Sequence, residues 1–264
     1  MCYSICKINS LLGTVLLLST SSLTWYGIHK IFQIAQQARV WGIDLVLTKE
    51  HKDYWDGEYI LSLSKEFLVP VVSITAPEKG VSEEMVDTII QLAQKIWTQV
   101  ITFSPPHITD KKNTWFKSYL PKIKKQTGLS IAIQNVEAKF WLFVIPEYKN
   151  ATFSQIKNIT GDTALDVSSV DPSSGMDIMR AQKALGSSIK NIFFSDRSPT
   201  KANLLPWINR DGILPLESFL LKLKESEYSG YITLKVSASD LWVGDDAKIF
   251  QNLEKIQTQY KNFF

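Results

Sequence analysis

The chain has 264 residues, 45% of them hydrophobic and 21% charged, which excludes a disordered or collagen-like polymer. Its 29 basic and 26 acidic residues leave a formal net charge of +3. So near a balance gives no concentrated basic face for nucleic acid, and none is expected as a partner. The two cysteines, Cys2 and Cys6, both lie in the first few residues and cannot staple the fold. Their scarcity fits a reducing compartment, so a cytoplasmic protein is expected.

The N-terminus admits two readings. Lys7, then Leu11 to Leu18, then Ser19 to Ser22 has the order of a signal peptide: a charge, a short apolar core and small residues. The apolar run is too short for a membrane span, and no membrane partner is expected. Alternatively, 14–20 is a buried first strand and 1–12 a loose leader. The strand is preferred because the pattern that follows needs one more strand at that place.

Further along, short β-type runs fall at 43–48, 69–75, 99–104, 129–136, 162–167, 189–195 and 230–236. Amphipathic stretches separate them, near 27–40, 57–67, 82–97, 114–126, 153–159, 177–185 and 215–225, with a last one at 245–260. Strands alternating with helices predict parallel strands joined by helical crossovers. Eight such units close a (β/α)8 barrel, here a single domain over 13–264. No Ser/Gly linker or charge block divides the series.

Strand alternation then assigns faces. Ile131 and Ile133 belong against helices, so Ser130, Ala132 and Gln134 point into the barrel. Ile232, Leu234 and Val236 face out, leaving Tyr231, Thr233 and Lys235 inside. Thr75, Asp166 and Phe193 are inward by the same rule. Gln134, Asp166, Lys235, Thr75 and Phe193 lie near C-terminal strand ends, the rim where barrels of this kind do chemistry.

Several segments carry a family pattern: Ile133-Gln134-Asn135, Thr163-Ala164-Leu165-Asp166-Val167-Ser168-Ser169, and Ile192-Phe193-Phe194-Ser195-Asp196-Arg197. Leu204-Leu205-Pro206 through Leu216, Tyr228 to Leu234, Ser19 to Gly27 and Ser73-Ile74-Thr75-Ala76-Pro77 follow it in order and spacing. In these the chain resembles the xylose isomerase-like TIM-barrel superfamily, which includes sugar phosphate isomerases/epimerases and endonuclease IV-like proteins. The resemblance implies a divalent-metal site built from a Glu ending strand five, an Asp-x-x-His after strand six, a His on strand seven and a Glu ending strand eight. Many members add a His at the end of strand three. Such ions need carboxylate and imidazole donors converging at about 2.0–2.3 Å. Here the matching positions read Thr75, Gln134, Asp166 with Ser169, Phe193 and Lys235. Only Asp166 is a good ligand, so no metal and no cofactor are expected.

Lys235 instead places a cation near Asp166. The bland reading is an ion pair closing an inactive mouth. The sharper one is an ammonium that binds a sugar hydroxyl, carboxylate or phosphate. A Schiff-base lysine would need a depressed pKa. Around this pair, Trp25, Gln134, Asn135, Asp196, Arg197 and Arg210 are candidate substrate-binding residues. Trp25, Trp55 and Trp207 fall in rim loops, where aromatics stack on sugar faces or cover apolar surface. Asp196, Arg197 and Arg210 follow strand seven, where such barrels hold phosphate. His51 and His107 occupy rim loops without ligand spacing, and His29 opens the first helix. The expected function is that of a non-metal paralogue of the isomerases, either a sugar or sugar phosphate binding protein or an inactive partner. The alternative is an active isomerase or epimerase rebuilt around Asp166 and Lys235. Endonuclease chemistry is disfavoured, because it uses several metals and a basic surface.

Overall fold

Among the described residues, eight buried runs rich in Val, Ile, Leu and Phe alternate with eight α-helices, and the runs pair into one closed parallel barrel. The structure is a computed structural model that describes residues 14–110, 113–142, 144–170, 177–199, 204–208 and 211–264. The barrel strands are β1 Val15–Ser19, β2 Ile43–Val46, β3 Val71–Thr75, β4 Val100–Phe103, β5 Ser130–Gln134, β6 Asp162–Asp166, β7 Ile189–Phe194 and β8 Tyr231–Leu234. Each pairs with its chain neighbours, and β1 closes the ring by pairing with both β8 and β2. The helices are α1 Ile28–Gln37, α2 Gly57–Phe67, α3 Glu83–Lys95, α4 Leu120–Thr127, α5 Phe153–Thr160, α6 Ile178–Leu185, α7 Leu216–Glu225 and α8 Asp246–Lys261. The fold is the expected (β/α)8 barrel. The expected leader, 1–12, lies outside the described residues. No helix among the described residues is long and apolar enough to cross a membrane.

Alternation sorts the strand side chains into two layers. Ile131, Ile133, Leu165, Ile192, Phe194, Ile232 and Leu234 pack outward with the helices. Val100, Ala132, Ala164 and Phe193 form a separate inner cluster, with Tyr231 against it. The two alanines leave room in the bore for the Phe193 ring. The alternation breaks on β3, where the register shifts between Ile43 and Asp44. Val72 therefore joins the inner cluster of Val15 and Leu17, while Ser73 also reaches inward to Asp44. A bulge of this kind re-aims the side chains beyond it, and Thr75 emerges on the inner face as expected.

Helix starts are fixed by side-chain caps, which satisfy otherwise orphaned backbone N–H groups. Asp56 accepts from Glu58 and Tyr59 at the start of α2, Ser82 caps α3, and Thr152 with Gln155 forms a capping box on α5. The helices α4 and α5 end at Gly128 and Gly161, both in the left-handed conformation that glycine adopts without Cβ strain. At the bottom of the barrel the entry to β1 is tied down twice. The Thr14 hydroxyl donates to the Tyr228 carbonyl at 2.6 Å, and Tyr260 donates to the Thr14 carbonyl at 3.0 Å.

The closing strand is thus essential. Deleting residues 1–20 is expected to abolish cooperative unfolding in urea, because β2 and β8 would be left as open edges. A deletion variant that remains monomeric and melts cooperatively would show that β1 is dispensable.

Candidate functional site

The C-terminal ends of the strands surround a cavity of about 350 Å³. Thr75, Gln134, Asp166, Phe193 and Lys235 line it from the strands, and Glu78, Ser104, Glu137, Lys139 and Tyr148 add polar groups from the rim. At its base the Lys235 ammonium donates to Asp166 Oδ2 at 2.9 Å. The Asp166 side chain is 4% exposed and that of Lys235 28%. Phe193 presents its ring face to the same ammonium, 5.2 Å from the centroid, a favourable cation–π geometry.

Asp166 is fixed from two sides. Its Oδ1 accepts from the Ser168 hydroxyl at 2.6 Å and the Ser168 backbone N–H at 3.1 Å. The Asn135 amide clamps its backbone, donating to the Asp166 carbonyl at 2.9 Å and accepting from its N–H at 2.8 Å. Asn135 also borders the cavity, but both ends of its amide are engaged on Asp166, which makes it a positioning residue. Gln134 donates to Ser104 Oγ at 2.6 Å and leaves its Oε1 buried without a partner among the described residues.

Asp44 on β2 is a fully buried carboxylate that the sequence reading passed over. It accepts from Ser73 at 2.6 Å, Thr75 at 3.0 Å and Ser19 at 3.1 Å. Burial pushes its carboxyl above the usual range, against the opposing pull of these three hydroxyls and the Lys235 charge. The signal was present: Ile43, Leu45 and Leu47 face the helices, so Asp44 between them faces in. Lys235 itself feels burial, which lowers its pKa. The charge and hydrogen bond of Asp166, with the charges of Asp44 and Glu78, outweigh it and hold the amine above its ordinary value. These interactions bias the side chain toward its ammonium form.

Other candidates sit elsewhere. Asp196 is buried and accepts from the backbone N–H groups of Arg197 at 2.7 Å and Leu214 at 2.9 Å, organising the loop after β7. Arg197 pairs with Glu137 at 2.7 Å, one place removed from the cavity. Trp25 is more than half exposed and does not line the cavity. Arg210 lies outside the described residues. Trp55 donates from its ring N–H to the Thr48 carbonyl, and Trp207 packs on Phe194 and Tyr260. His51 stacks on Tyr54, His29 lies edge-on to Phe67, and His107 is held at its Nδ1 by Thr109.

The donor set does not fit a divalent metal. At the positions where the resemblance implies ligands stand a threonine, a glutamine, a phenylalanine and a lysine, with Asp166 already holding the ammonium. Among the described residues no three His, Cys, Asp or Glu side chains converge as a metal site.

No family model matches the sequence, and no curated protein matches it. Solved structures match the fold. The IolI protein with a bound zinc atom superposes with a TM-score of 0.72 at 15% identity, covering 95% of this chain and 99% of that one. A xylose isomerase domain containing protein from Salmonella typhimurium gives 0.68 at 12% identity, with 94% and 97% covered. The 3-keto-D-glucoside 4-epimerase YcjR from E. coli gives 0.66 at 10% identity, with 93% and 99% covered. The fold is that of the xylose isomerase-like TIM barrels.

Two measurements follow from this geometry. In a double-mutant cycle with Asp166→Asn and Lys235→Met, the coupling is expected at about 1–3 kcal/mol. That lies between the exposed and the fully buried limits, because one partner is buried and the other partly wet. Zero coupling would dissolve the pair. The second concerns Asp44, whose native pKa is raised. Between the unfolded value near 4 and the native one, the native state binds more protons, so this group's contribution is complete at low pH and is lost as pH rises. Relative to Asp44→Asn, the wild-type urea midpoint is expected to fall as pH increases through that window. A rise would give the shift the opposite sign.

Proposed function

We propose that this chain binds a small polyhydroxylated molecule, a sugar, in the barrel mouth without a divalent metal. The observation that carries the reading is the Lys235 ammonium seated on Asp166 at the base of the rim cavity. An ammonium has three N–H donors, and one is directed at Asp166. The remaining donors can meet the hydroxyls of a ligand in the cavity, and Gln134, which lines it, carries a carbonyl oxygen without a partner among the described residues. A pair of neighbouring hydroxyl groups needs such a combination, since each hydroxyl both donates and accepts. The buried rings of Phe193 and Tyr148 form part of the cavity wall beside these polar groups.

The charges of the lining favour a neutral sugar over its phosphate. Glu78, Glu137 and Asp166 face Lys139 and Lys235, and both cations already pair with carboxylates of the mouth. A phosphate would enter a site with no surplus positive charge. Isomerase chemistry in this fold family, metal-assisted proton or hydride shift, needs a Lewis acid at the carbonyl and a carboxylate base. The residues at the ligand positions do not support a metal there, which favours binding over turnover.

Thermal melting of the full chain with a panel of sugars, sugar phosphates and divalent ions tests the reading. A ligand at 100 times its Kd adds about 2.7 kcal/mol, or roughly 5–10 °C for a chain of this size. A neutral sugar is expected to give such a shift, Lys235→Met to abolish it, and a chelator to leave it unchanged. About one Zn or Mn per chain, retained through dialysis, would overturn the metal-free reading.

A further inference from the structure

The chain between β5 and α5 leaves the rim as a two-stranded hairpin, Phe140–Trp141 pairing with Ile145–Pro146. From Phe140 to Pro146 the sequence reads Phe-Trp-Leu-Phe-Val-Ile-Pro, seven residues without a polar side chain. Phe140, Trp141, Leu142 and Val144 are each more than half exposed. A run of this composition ordinarily folds down onto the core.

Here the base of the hairpin prevents collapse. Glu147 N–H donates to the Lys139 carbonyl at 2.8 Å. Ile108 N–H donates to the Glu147 carbonyl at 2.7 Å, and Lys149 N–H to the Pro106 carbonyl at 2.8 Å. The Tyr148 hydroxyl donates to Glu78, and Glu137 is held by Arg197. The apolar tip is thus presented on a braced stem. The same end of the barrel exposes Trp25, Ile213 and Trp242 on the loops after β1, β7 and β8.

We propose that this hairpin docks the barrel mouth onto an anionic lipid surface. Size and charge select that occupant. Large aromatic side chains carry about 150–250 Å² each, so the four partly exposed tip residues offer roughly 400 Å². That is half of the about 800 Å² per partner that a stable protein interface needs. It is sufficient for interfacial insertion, where a Trp, a Phe and aliphatic neighbours sit at the headgroup boundary. Lys139 precedes the first leg, and Lys149 follows the second beyond Glu147, which faces the His107 ring at 3.6 Å. Lys139 shares Glu137 at 3.2 Å, and Lys149 is exposed with no ion-pair partner among the described residues. Placed at the depth of lipid phosphates, these ammonium groups favour an anionic leaflet. The sequence gives an expectation of no membrane partner, and a lipid-docking hairpin departs from it, whatever the mouth binds.

Co-sedimentation of the full chain with phosphatidylcholine vesicles, pure or containing about 30 mol% phosphatidylglycerol, tests the proposal. Binding is expected to be stronger on the anionic vesicles. The double variant Trp141→Ser/Leu142→Ser is expected to lose about tenfold or more of it while melting as the wild type does. Lys149→Glu is expected to remove the preference for anionic lipid, and Val144→Ser, across the turn, provides a second tip variant. Absence of wild-type binding overturns the proposal, as does undiminished binding by both tip variants. A concentration-dependent dimer in light scattering that the tip variants abolish would make a second copy of the chain the occupant, and would also overturn it.

Discussion

A lysine ammonium inside a closed barrel must meet carboxylates or lose its charge, and the placement of Lys235 sets the terms for the rest of the mouth. Eight parallel strands force every second side chain into a bore with little room for water. An ion there is tolerated only if it is paired and its remaining valences are directed. Asp166 supplies the direct partner, Asp44 and Glu78 add longer-range attraction, and the Phe193 ring faces the ammonium. The outcome is an amine biased toward its protonated form, suited to donating hydrogen bonds and stabilising negative charge.

The groups around the pair act mainly by holding it still. Asn135 uses both ends of its amide on the Asp166 backbone, and Ser168 fixes the carboxylate from the following turn. Asp44 is braced by three hydroxyls from β1 and β3 and does not reach the cavity. It contributes field rather than contact. Asp196, by contrast, spends its carboxylate on the loop after β7, where a Cβ on Gly212 would collide with it. That loop is shaped by a side chain where a phosphate-binding loop would offer its N–H groups to a ligand.

The strands were legible because buried parallel strands read as short apolar runs, and each expected strand contains the observed one, ending at the same residue or one or two beyond it. Alternation carried the site as far as Gln134, Asp166, Phe193 and Lys235, at or just past the strand ends, even though the pairing of β6 with β7 shifts register near Thr163. It was not extended to β2, where Asp44 lies one level below the rim. It could not foresee the bulge that turns both Val72 and Ser73 inward. The hairpin escaped for a different reason. Its strands have two residues each, too short for any periodicity, and its brace is a pairing with the loop at Pro106 to Ile108, more than thirty residues away. The roles of Asp196 and Arg197 likewise depend on partners at Leu214 and Glu137, which local sequence does not reveal.

Whether the Lys235–Asp166 pair plugs the mouth or serves it can be weighed from what lies above it. An ion pair that only filled the bore would be a costly filler. Two apolar side chains of the same volume would do as well or better by about 1–4 kcal/mol, and Phe193 and the paired alanines show that this barrel packs apolar groups readily. A plug would also close over the charges. Instead a cavity of about 350 Å³ is lined by both members of the pair, and Gln134, which also lines it, holds a buried carbonyl oxygen without a partner among the described residues. Leaving that oxygen unmatched costs about 1–3 kcal/mol in a purely structural role. The penalty is relieved if a hydroxyl donor occupies the cavity, and a hydroxyl that donates to Gln134 can accept from Lys235. The same ion pair then anchors the inner face of the barrel and holds the Lys235 ammonium at the cavity.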